Sequence, residues 1–316
     1  MKKLRLALIA GGKSAEREVS LKSGEQVFQA LDKTKYDIRR YDPRDDLERL
    51  VREAPEIDAA LVIMHGRGGE DGSLQGLLDL LDIPYQGSGI LGSALGMNKE
   101  LSKILYEHAG LKVPQAIFFN KAEAPSAQEI EARVGLPAVI KPVNEGSSIG
   151  VTFARTLEEL DAGLKAAFAY DNRVLVEQCI KGTEVTGGVL GNDHLTALPL
   201  VEIVPSENYA FFDYEAKYKP GASTEICPAR LNAALTKKAQ ASALAAHRAL
   251  NCRGYSRTDM IVKDGEVYVL ETNTIPGMTA TSLFPQAAKT HGLEFPQLLD
   301  KLIELALEGR QRPVDK

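Results

Sequence analysis

Residues 257–283 read RTDMIVKDGEVYVLETNTIPGMTATSL, and the rest of the chain is organised around them. Two short apolar segments flank a Lys-Asp-Gly turn at 263–265, which is the pattern of a β-hairpin. Asp259 lies on the first strand, Glu271 ends the second, and Asn273 follows closely. Hard oxygen ligands beside open coordination positions suit Mg²⁺ carrying a nucleotide's phosphates. Solvated strand-end acids are the alternative, but the added amide and the arginine that opens the segment favour a metal site.

The register of this hairpin decides whether the two carboxylates meet. Side chains alternate between faces along a strand, so a loop of odd length places Asp259 and Glu271 on the same face. We predict a three-residue loop with Gly265 in the left-handed conformation. Both faces are apolar, so the hairpin should be buried, and its carboxylates would need a compensating cation. The predicted carboxylate face carries Ile261, Val267 and Val269, and the other carries Met260, Val262, Tyr268 and Leu270.

Composition excludes several classes of protein. The chain has 316 residues, 44% hydrophobic and 26% charged, with a net charge of −5. This is ordinary soluble composition without the basic footprint of a nucleic-acid binder. No apolar run approaches the roughly 20 residues of a membrane helix, and Arg5 interrupts the segment that faintly resembles a leader. The three cysteines are odd in number and widely spaced, which argues against a disulfide framework and favours a reducing cytoplasm.

The first third of the chain predicts a parallel sheet with a ligand site at its edge. Residues 4–10 form a strand that leads through glycines into a helix, and Glu16 follows this strand. The strand at 59–64 runs directly into the loop HGRGGEDG, which begins at His65. Carboxyl ends of strands are where open α/β sheets bind ligands. A solvated acid is the alternative for Glu16, and a structural role is the alternative for His65, which could otherwise orient Glu16 or touch substrate.

The middle of the chain carries signals for phosphate. Lys99 begins a helix capped by Asn98, where a cation opposes the helix dipole and so indicates an anionic partner. Lys141 enters a loop with two glycines and with Ser147 and Ser148, whose backbone N–H groups could cradle a phosphate. An ordinary surface hairpin is the alternative. Further along, Glu177 and Glu184 lie on strands where a nucleotide could bind. The long aromatic loop 206–222 predicts a lid, with Lys217 and Tyr218 reaching the cleft.

Five stretches, taken together, resemble the D-alanine–D-alanine ligases of the ATP-grasp superfamily, and they span the chain in the family's order. They are GGKSAEREVSLKSG at 11–24, HGRGGEDGSLQG at 65–76, KPVNEGSSIGV at 141–151, FFDYEAKY at 211–218 and the opening segment at 257–283. The resemblance implies an α/β, three-domain ATP-grasp fold with a nucleotide cleft between the central and C-terminal domains. The implied domains are an N-terminal parallel-sheet, substrate-binding domain at 1–92, a central domain at 93–181, and a C-terminal domain at 182–316 with the metal site and lid.

The resemblance also implies a reaction. ATP would phosphorylate the carboxylate of one D-alanine, and the amine of a second would attack the acyl phosphate, giving D-alanyl-D-alanine for peptidoglycan synthesis. A related ligase that makes D-alanyl-D-lactate or another D-alanyl product is the alternative. The implied partners are D-alanine, ATP and two Mg²⁺ ions, with Mn²⁺ as a substitute, and neither nucleic acid nor membrane. A cytoplasmic homodimer is expected.

Site residues follow from the resemblance position by position. Glu16 would hold the first substrate's ammonium group, with Ser147 and Tyr218 linked to it. Arg257 and the Gly277 N–H would form an oxyanion hole. The remaining roles are these: His65, Ser282 and Leu283 for substrate; Lys99, Lys141, Ser147, Ser148, Glu177, Ile180, Glu184 and Lys217 for ATP; and Asp259, Glu271 and Asn273 for metal. Asn98, Cys179 and Ser256 depart from the family pattern without removing a reacting group.

Two other classes compete with this interpretation. The strand followed by glycines at the amino terminus also begins dinucleotide-binding oxidoreductases, but the G-x-G-x-x-G fingerprint is missing. A non-catalytic ATP-binding module is disfavoured because the implied catalytic groups are nearly all present.

Overall fold

The computed structural model describes residues 2–146, 149–205 and 223–308, which form three β-sheets with helices packed on them. The strands are β1 (Leu4–Ala10), β2 (Tyr36–Tyr41), β3 (Ala59–Ile63), β4 (Ala116–Asn120), β5 (Ala138–Pro142), β6 (Thr152–Ala154), β7 (Arg173–Gln178), β8 (Thr183–Gly191), β9 (Thr196–Ala197), β10 (Val201–Pro205), β11 (Ser223–Ile226), β12 (Gly254–Lys263) and β13 (Glu266–Asn273). The helices are α1 (Arg17–Ala30), α2 (Leu47–Glu53), α3 (Ser73–Leu80), α4 (Ile90–Met97), α5 (Lys99–His108), α6 (Ala127–Val134), α7 (Leu157–Ala167), α8 (Ala233–Ala249), α9 (Leu283–Thr290) and α10 (Phe295–Glu308), with 3₁₀ turns at Ala54–Glu56 and Lys121–Glu123.

The first sheet has the order β2-β1-β3 with all strands parallel, as predicted. β3 is buried along its whole length and β1 over its last five residues, which is why both read as continuous apolar runs. Ser20 of α1 joins their carboxyl ends, because its hydroxyl accepts the Gly11 N–H at 2.7 Å and donates to the Ile63 carbonyl at 2.5 Å. This bond fixes the start of α1, and with it Glu16, at the edge of the sheet.

The second sheet is antiparallel, with the order β4-β7-β5-β6, and α6 and α7 cover it. Its apolar side chains form a separate core cluster that extends from Ile117 to Val176 and includes the fully buried Ile130 and Leu160. Because β5 and β7 are its central strands, side chains at their ends are held rigidly. Lys141 is near the end of β5 and Glu177 is near the end of β7.

The third sheet is also antiparallel, with the order β11-β10-β8-β12-β13 and β9 paired to β8. β12 lies between β8 and β13 and pairs with β8 over nine residues, from Gly254 to Val262. Helix α8 packs on this sheet, and α5 contributes Tyr106, whose hydroxyl donates to the Thr272 Oγ1 at 2.8 Å. β12 is therefore an inner strand of the sheet, and β13 lies at its edge in contact with α5.

The turn of the β12–β13 hairpin differs from our prediction. Lys263 pairs with Glu266, which leaves Asp264 and Gly265 as a two-residue turn with φ of 49° and 80°. Two positive φ values define the type I′ turn that Asp-Gly favours, because its twist matches that of the strands. The predicted odd loop is therefore wrong.

A β-bulge restores the pairing of the carboxylates. Met260 pairs with Val269, but Asp259 pairs with Glu271, so Leu270 is an extra residue on β13. The two acids are thus directly opposite each other, as predicted, although for another reason. The predicted faces are wrong for β13, since Ile261 is opposite Tyr268. The buried face of the hairpin packs on α8 and consists of Met260, Val262, Val267 and Val269.

The three sheets fall within 4–63, 116–178 and 183–273, and the predicted domain boundaries near 92 and 181 remain a proposal. The first core cluster contains Leu6 and Leu8 of β1 together with Leu298 and Leu302 of α10, so the C-terminal helix packs on the first sheet. No helix in the described part of the chain has the length and apolar character needed to cross a membrane.

Candidate active site

Asp259, one of the two paired acids of the hairpin, is held by an arginine. Arg257 donates to both oxygens of Asp259, from Nε at 3.0 Å and from Nη2 at 2.9 Å. Thr186 of β8 donates to the same carboxylate at 2.6 Å, and Asn273 Nδ2 donates to it at 3.2 Å. Asp259 is only 7% exposed, so these donors supply the compensation that a buried carboxylate needs.

The donor set of this wall fits a hard cation. Asp259 and Glu271 face each other across one strand pair, and directly opposed side chains have Cβ atoms about 4.5–5.5 Å apart. Asn273, the register partner of Arg257, adds an amide whose oxygen could serve as a third ligand. Within the described ranges no three His, Cys, Asp or Glu residues form a metal-binding group, and the set here is two carboxylates with one amide.

The glycine-rich loop after β3 lies directly against Glu16. The Ser14 hydroxyl donates to the His65 carbonyl at 2.7 Å and so joins the two loops. A Cβ added to Gly66 would lie 2.9 Å from Glu16 Oε2, so the loop can approach the carboxylate this closely only because the residue is glycine. Glu16 itself is 3% exposed. The predicted convergence of the first and third strand ends on Glu16 is therefore present.

Sequence reasoning missed Glu70, which belongs to the same loop. Its Oε2 accepts the Gly66 N–H at 2.6 Å. Burial, and secondarily the charge of Glu16, raises the pKa of Glu70 to about 8, although Arg257 acts in the opposite direction. At neutral pH the Glu70 carboxyl is therefore largely protonated. The unusual density of glycine and charge in the loop was the signal that could have pointed to it.

His65 is neutral for related reasons. Burial lowers the pKa of its imidazole to about 4, and Arg257 lowers it further while a backbone hydrogen bond with Ile275 raises it. Its Nε2 atom is buried and has no hydrogen-bond partner among the residues that the structure describes. The ring thus links the first sheet to the loop after β13 and leaves one nitrogen for a ligand.

The loop after β5 closes over the same region. A Cβ on Gly146 would lie 3.5 Å from Glu16 Oε2. Arg67 forms an ion pair with Glu145 at 3.1 Å, and the Lys99 ammonium group donates a hydrogen bond to the Glu145 carbonyl. The predicted positions Ser147 and Ser148, and Lys217 and Tyr218 in the predicted lid 206–222, lie outside the described residues.

A buried charge cluster lies at the other end of the cleft. Glu177 of β7 has one oxygen 2.5 Å from Lys141 Nζ of β5 and the other 2.7 Å from Lys103 Nζ of α5. Burial raises the pKa of Glu177, but the two lysines outweigh it and hold the pKa at about 2. Lys103 was not predicted, although it is one helical turn after Lys99 and so on the same helix face.

Next to this cluster is a cavity of about 730 Å³ between the second and third sheets. Ile180 and Glu184, both predicted to bind nucleotide, are among its lining residues, with Leu136 and Phe153 on the wall from the second sheet. Lys181 and Arg155 are also among its lining residues, and Arg230 lines it as an ion pair with Glu202 at 2.7 Å. Apolar walls with a few polar groups are typical of small-molecule sites of this size.

The loop after β13 begins helix α9. Ser282 is the residue before α9, and its hydroxyl accepts the Thr279 N–H at 3.1 Å and lies 2.7 Å from Thr279 Oγ1. A Cβ on Gly277 would lie 3.1 Å from Ser282 Oγ, so these two predicted residues are neighbours. Leu283 is 7% exposed and packs in the first core cluster, which leaves its backbone as the part able to meet a ligand.

Comparison with protein families gives two matches along the chain. The model described as D-ala D-ala ligase C-terminus matches residues 105–304, and the model described as D-ala D-ala ligase N-terminus matches residues 42–88. A D-alanine--D-alanine ligase of Syntrophobacter fumaroxidans is 61% identical over 97% of this chain and 98% of its own length. One of Desulfotalea psychrophila is 55% identical over 97% of this chain and 96% of its own length.

Two solved structures of ligases are also similar to this chain over nearly its full length. A D-alanine--D-alanine ligase from Bacillus anthracis complexed with ATP superposes with a TM-score of 0.86 at 36% identity, covering 98% of this chain and 99% of that one. The VanG D-Ala:D-Ser ligase from Enterococcus faecalis superposes with a TM-score of 0.83 at 36% identity, covering 96% of this chain and 100% of that one.

Proposed function

This chain belongs to the D-alanine–D-alanine ligase family, and from that premise we propose how its residues carry the reaction. The chain is an ATP-dependent ligase with the ATP-grasp fold, and it joins two D-alanines to form D-alanyl-D-alanine, ADP and phosphate. The observation that carries this function is similarity over nearly the full length of relatives named for the activity, at up to 61% identity.

The first D-alanine binds between the amino-terminal loops and the hairpin. Glu16 holds its ammonium group, since the carboxylate is buried and pairs best with a cation that enters with the substrate. Arg257 approaches its carboxylate. A carboxylate oxygen attacks the γ-phosphorus of ATP, the bond from that phosphorus to the bridging oxygen breaks, and ADP leaves. The product of this step is an acyl phosphate.

The second D-alanine attacks the acyl phosphate. Ser282 and the Leu283 backbone bind its carboxylate at the start of α9, where helix N–H groups favour an anion. Its amine loses a proton with the help of Ser147, Tyr218 and Glu16, and attacks the carbonyl carbon. Arg257 and the Gly277 N–H stabilise the oxyanion, and such a donor is worth about 3–4 kcal/mol. The tetrahedral intermediate collapses, the carbon–oxygen bond to phosphate breaks, and the dipeptide forms. His65 orients the substrate from the first sheet.

ATP occupies the cleft between the second and third sheets. The base lies in the cavity beside Ile180, the ribose meets Glu184, and Glu177 accepts hydrogen bonds from the nucleotide. The phosphates lie toward Ser148 and the lysines Lys99, Lys141 and Lys217. Asp259, Glu271 and Asn273 would hold Mg²⁺ ions, or Mn²⁺ in their place, which when bound neutralise charge that develops on the transferred phosphoryl group.

The setting of the enzyme is a proposal from family resemblance. We expect the dipeptide to supply peptidoglycan synthesis in the cytoplasm. We also expect a homodimer, which light scattering would test. D-lactate as the second substrate is the alternative, and relatives named D-alanine--D-alanine ligase at 61% and 55% identity favour the dipeptide.

The function is tested by measuring ADP release with Mg²⁺-ATP and a panel of D-alanine, D-serine and D-lactate, with product masses determined. The expected result is D-alanine-dependent ADP release and a product with the mass of the dipeptide. ADP release only when D-lactate or D-serine accompanies D-alanine would overturn the assignment of the second substrate. Protection against thermal unfolding by NAD(P) and not by Mg²⁺-ATP would overturn the enzyme class.

A further inference from the structure

The buried charge cluster places two lysines on one carboxylate. Glu177 has a lysine on each oxygen, and the exposed side-chain fractions are 2% for Glu177, 3% for Lys103 and 12% for Lys141. One ammonium would suffice to neutralise the carboxylate. Because one ammonium is enough for Glu177, one of the two lysines can meet a negative group that enters the cleft when the enzyme is loaded.

The two lysines face different surroundings. The charges of Glu271 and Glu184 act on Lys141 in addition to that of Glu177, and these two acids belong to the metal wall (Asp259, Glu271 and Asn273) and to the nucleotide cavity. Lys103 lies behind Glu177 on α5, and the other acid that influences it is Glu107 of the same helix. Lys141 is thus the member that can turn toward the phosphates of ATP. Lys103 has no comparable path to the cleft, because its side chain is 3% exposed.

We propose that Lys103 is a positioning residue for nucleotide binding, which holds the Glu177 carboxylate in place as a hydrogen-bond acceptor when Lys141 turns from Glu177 to the ATP phosphates. This inference rests on the nucleotide site proposed above. An ionised carboxylate only accepts hydrogen bonds, whereas a protonated carboxyl also donates one, so the charge on Glu177 decides how it meets the nucleotide. Lys103 preserves that charge after Lys141 leaves.

Loss of Lys103 should affect the enzyme without ATP and the enzyme with bound ATP differently. In a Lys103→Met variant without ATP, Glu177 still pairs with Lys141, and the neutral pair remains compatible with folding. When ATP binds, Lys141 is drawn in two directions, and either the phosphates or Glu177 loses its cation. The variant should therefore fold nearly as well as the parent and bind nucleotide worse.

The experiment measures steady-state kinetics and thermal unfolding of Lys103→Met. We expect KM for ATP to rise about tenfold or more, since a buried ion pair is at stake, while kcat and KM for D-alanine change little. The unfolding temperature without nucleotide should stay near that of the parent, and the increase on adding AMP-PNP with Mg²⁺ should shrink. Lys103→Arg, which keeps the charge, should recover part of the KM.

Two further readouts distinguish positioning from a structural role. With one lysine gone, Glu177 should take up a proton more readily, so KM for ATP of the variant should rise as the pH falls from about 8 to about 6, while that of the parent stays flat. Lys103 acts through Glu177, so adding Lys103→Met to a Glu177→Gln enzyme should raise KM for ATP little further.

The matched control is Tyr106→Phe, which removes a buried hydrogen-bonding group from the same helix without touching Glu177. It should lower stability slightly and leave KM for ATP unchanged. The inference is overturned if the parent ligates D-alanine and Lys103→Met has the parent's KM for ATP, or if the two substitutions act additively. Absence of D-alanine-dependent ADP release in the parent would instead overturn the proposed function.

Discussion

Glu70 and Glu177 are carboxyl groups at opposite ends of the proposed cleft, Glu70 partly exposed and Glu177 buried, and their ionisation differs. The pKa of Glu70 is raised to about 8, whereas that of Glu177 is lowered to about 2. Burial raises the pKa in both places. At the substrate end the nearest strong influence is another acid, Glu16, and at the nucleotide end it is a pair of lysines. The sign of the neighbouring charge, rather than burial, therefore determines which group is ionised.

Each end is suited to a different ligand. In the proposed function, the substrate end has Glu16 and Glu70 close together, and D-alanine brings an ammonium group. The nucleotide end has two lysines on Glu177, and ATP brings phosphates. The charge of Glu271, in the metal wall, raises the pKa of both Glu70 and Lys141, so this wall is electrostatically coupled to both ends.

The largest expected effect comes from neutralising the substrate end. Glu16→Gln keeps the shape of the side chain and removes its charge, so the first D-alanine loses the partner of its ammonium group. We expect kcat/KM for D-alanine to fall about a hundredfold or more, because leaving one member of a buried ion pair unpaired costs about 3–5 kcal/mol. AMP-PNP binding should persist, and calorimetry provides that control. An unchanged rate of D-alanine-dependent ADP release would contradict the role of Glu16.

A smaller effect concerns the dependence of stability on pH. The folded pKa of Glu70, about 8, lies above the ordinary value of 4.5, so the contribution of Glu70 to the free energy of unfolding is fully present below pH 4.5 and is lost as the pH rises toward 8. Glu70→Gln should remove this pH-dependent decrease in the free energy of unfolding, whose slope is at most about 1.4 kcal/mol per pH unit.

Urea unfolding at a series of pH values measures this difference. At low pH, where Glu70 is protonated in both the folded and unfolded chains, the parent and Glu70→Gln should have similar stability, which is the internal control. Parallel stability curves across the whole range would show that Glu70 does not titrate as its surroundings imply.

The smallest effect is expected for the contact between the loop after β3 and the loop after β5. Arg67 pairs with Glu145 at 3.1 Å, but its side chain is 59% exposed. Exposed ion pairs contribute about 1 kcal/mol or less, so Arg67→Ala should change the free energy of unfolding by no more than this and leave kcat within twofold. A loss of activity near that of Glu16→Gln would show that the two loops depend on this pair. Thermal unfolding and the ADP assay measure both quantities.

Much of the fold followed from local patterns. The apolar run at 4–10 and its glycines predicted β1 and the parallel sheet, and Asn98 caps α5 as expected by accepting the Leu101 N–H at 2.9 Å. The hairpin turn could also have been predicted correctly, because Asp-Gly is the strongest signal for a type I′ turn, although we predicted a three-residue loop. The β-bulge at Leu270 could not be predicted, since nothing in an apolar strand marks an extra residue.

The grouping of residues was predictable where chemistry is concentrated in motifs. Glu16 and the loop that begins at His65 lie together, and so do Arg257 and Asp259, while the roles of these residues remain a proposal. Glu70 and Lys103 were missed because their properties arise from tertiary neighbours: a second acid for one and a strand-end carboxylate for the other. The charge state of a buried group cannot be inferred before its surroundings are known.

The extra residue at Leu270 has a consequence for how the hairpin tolerates change. It stands between the Asp264-Gly265 turn and the paired acids, so the two halves of the hairpin keep separate registers. An alteration in the length of the tip can be absorbed at the bulge before it reaches Asp259 and Glu271. The same β-strands thus provide a tip that can vary and a base that holds its alignment.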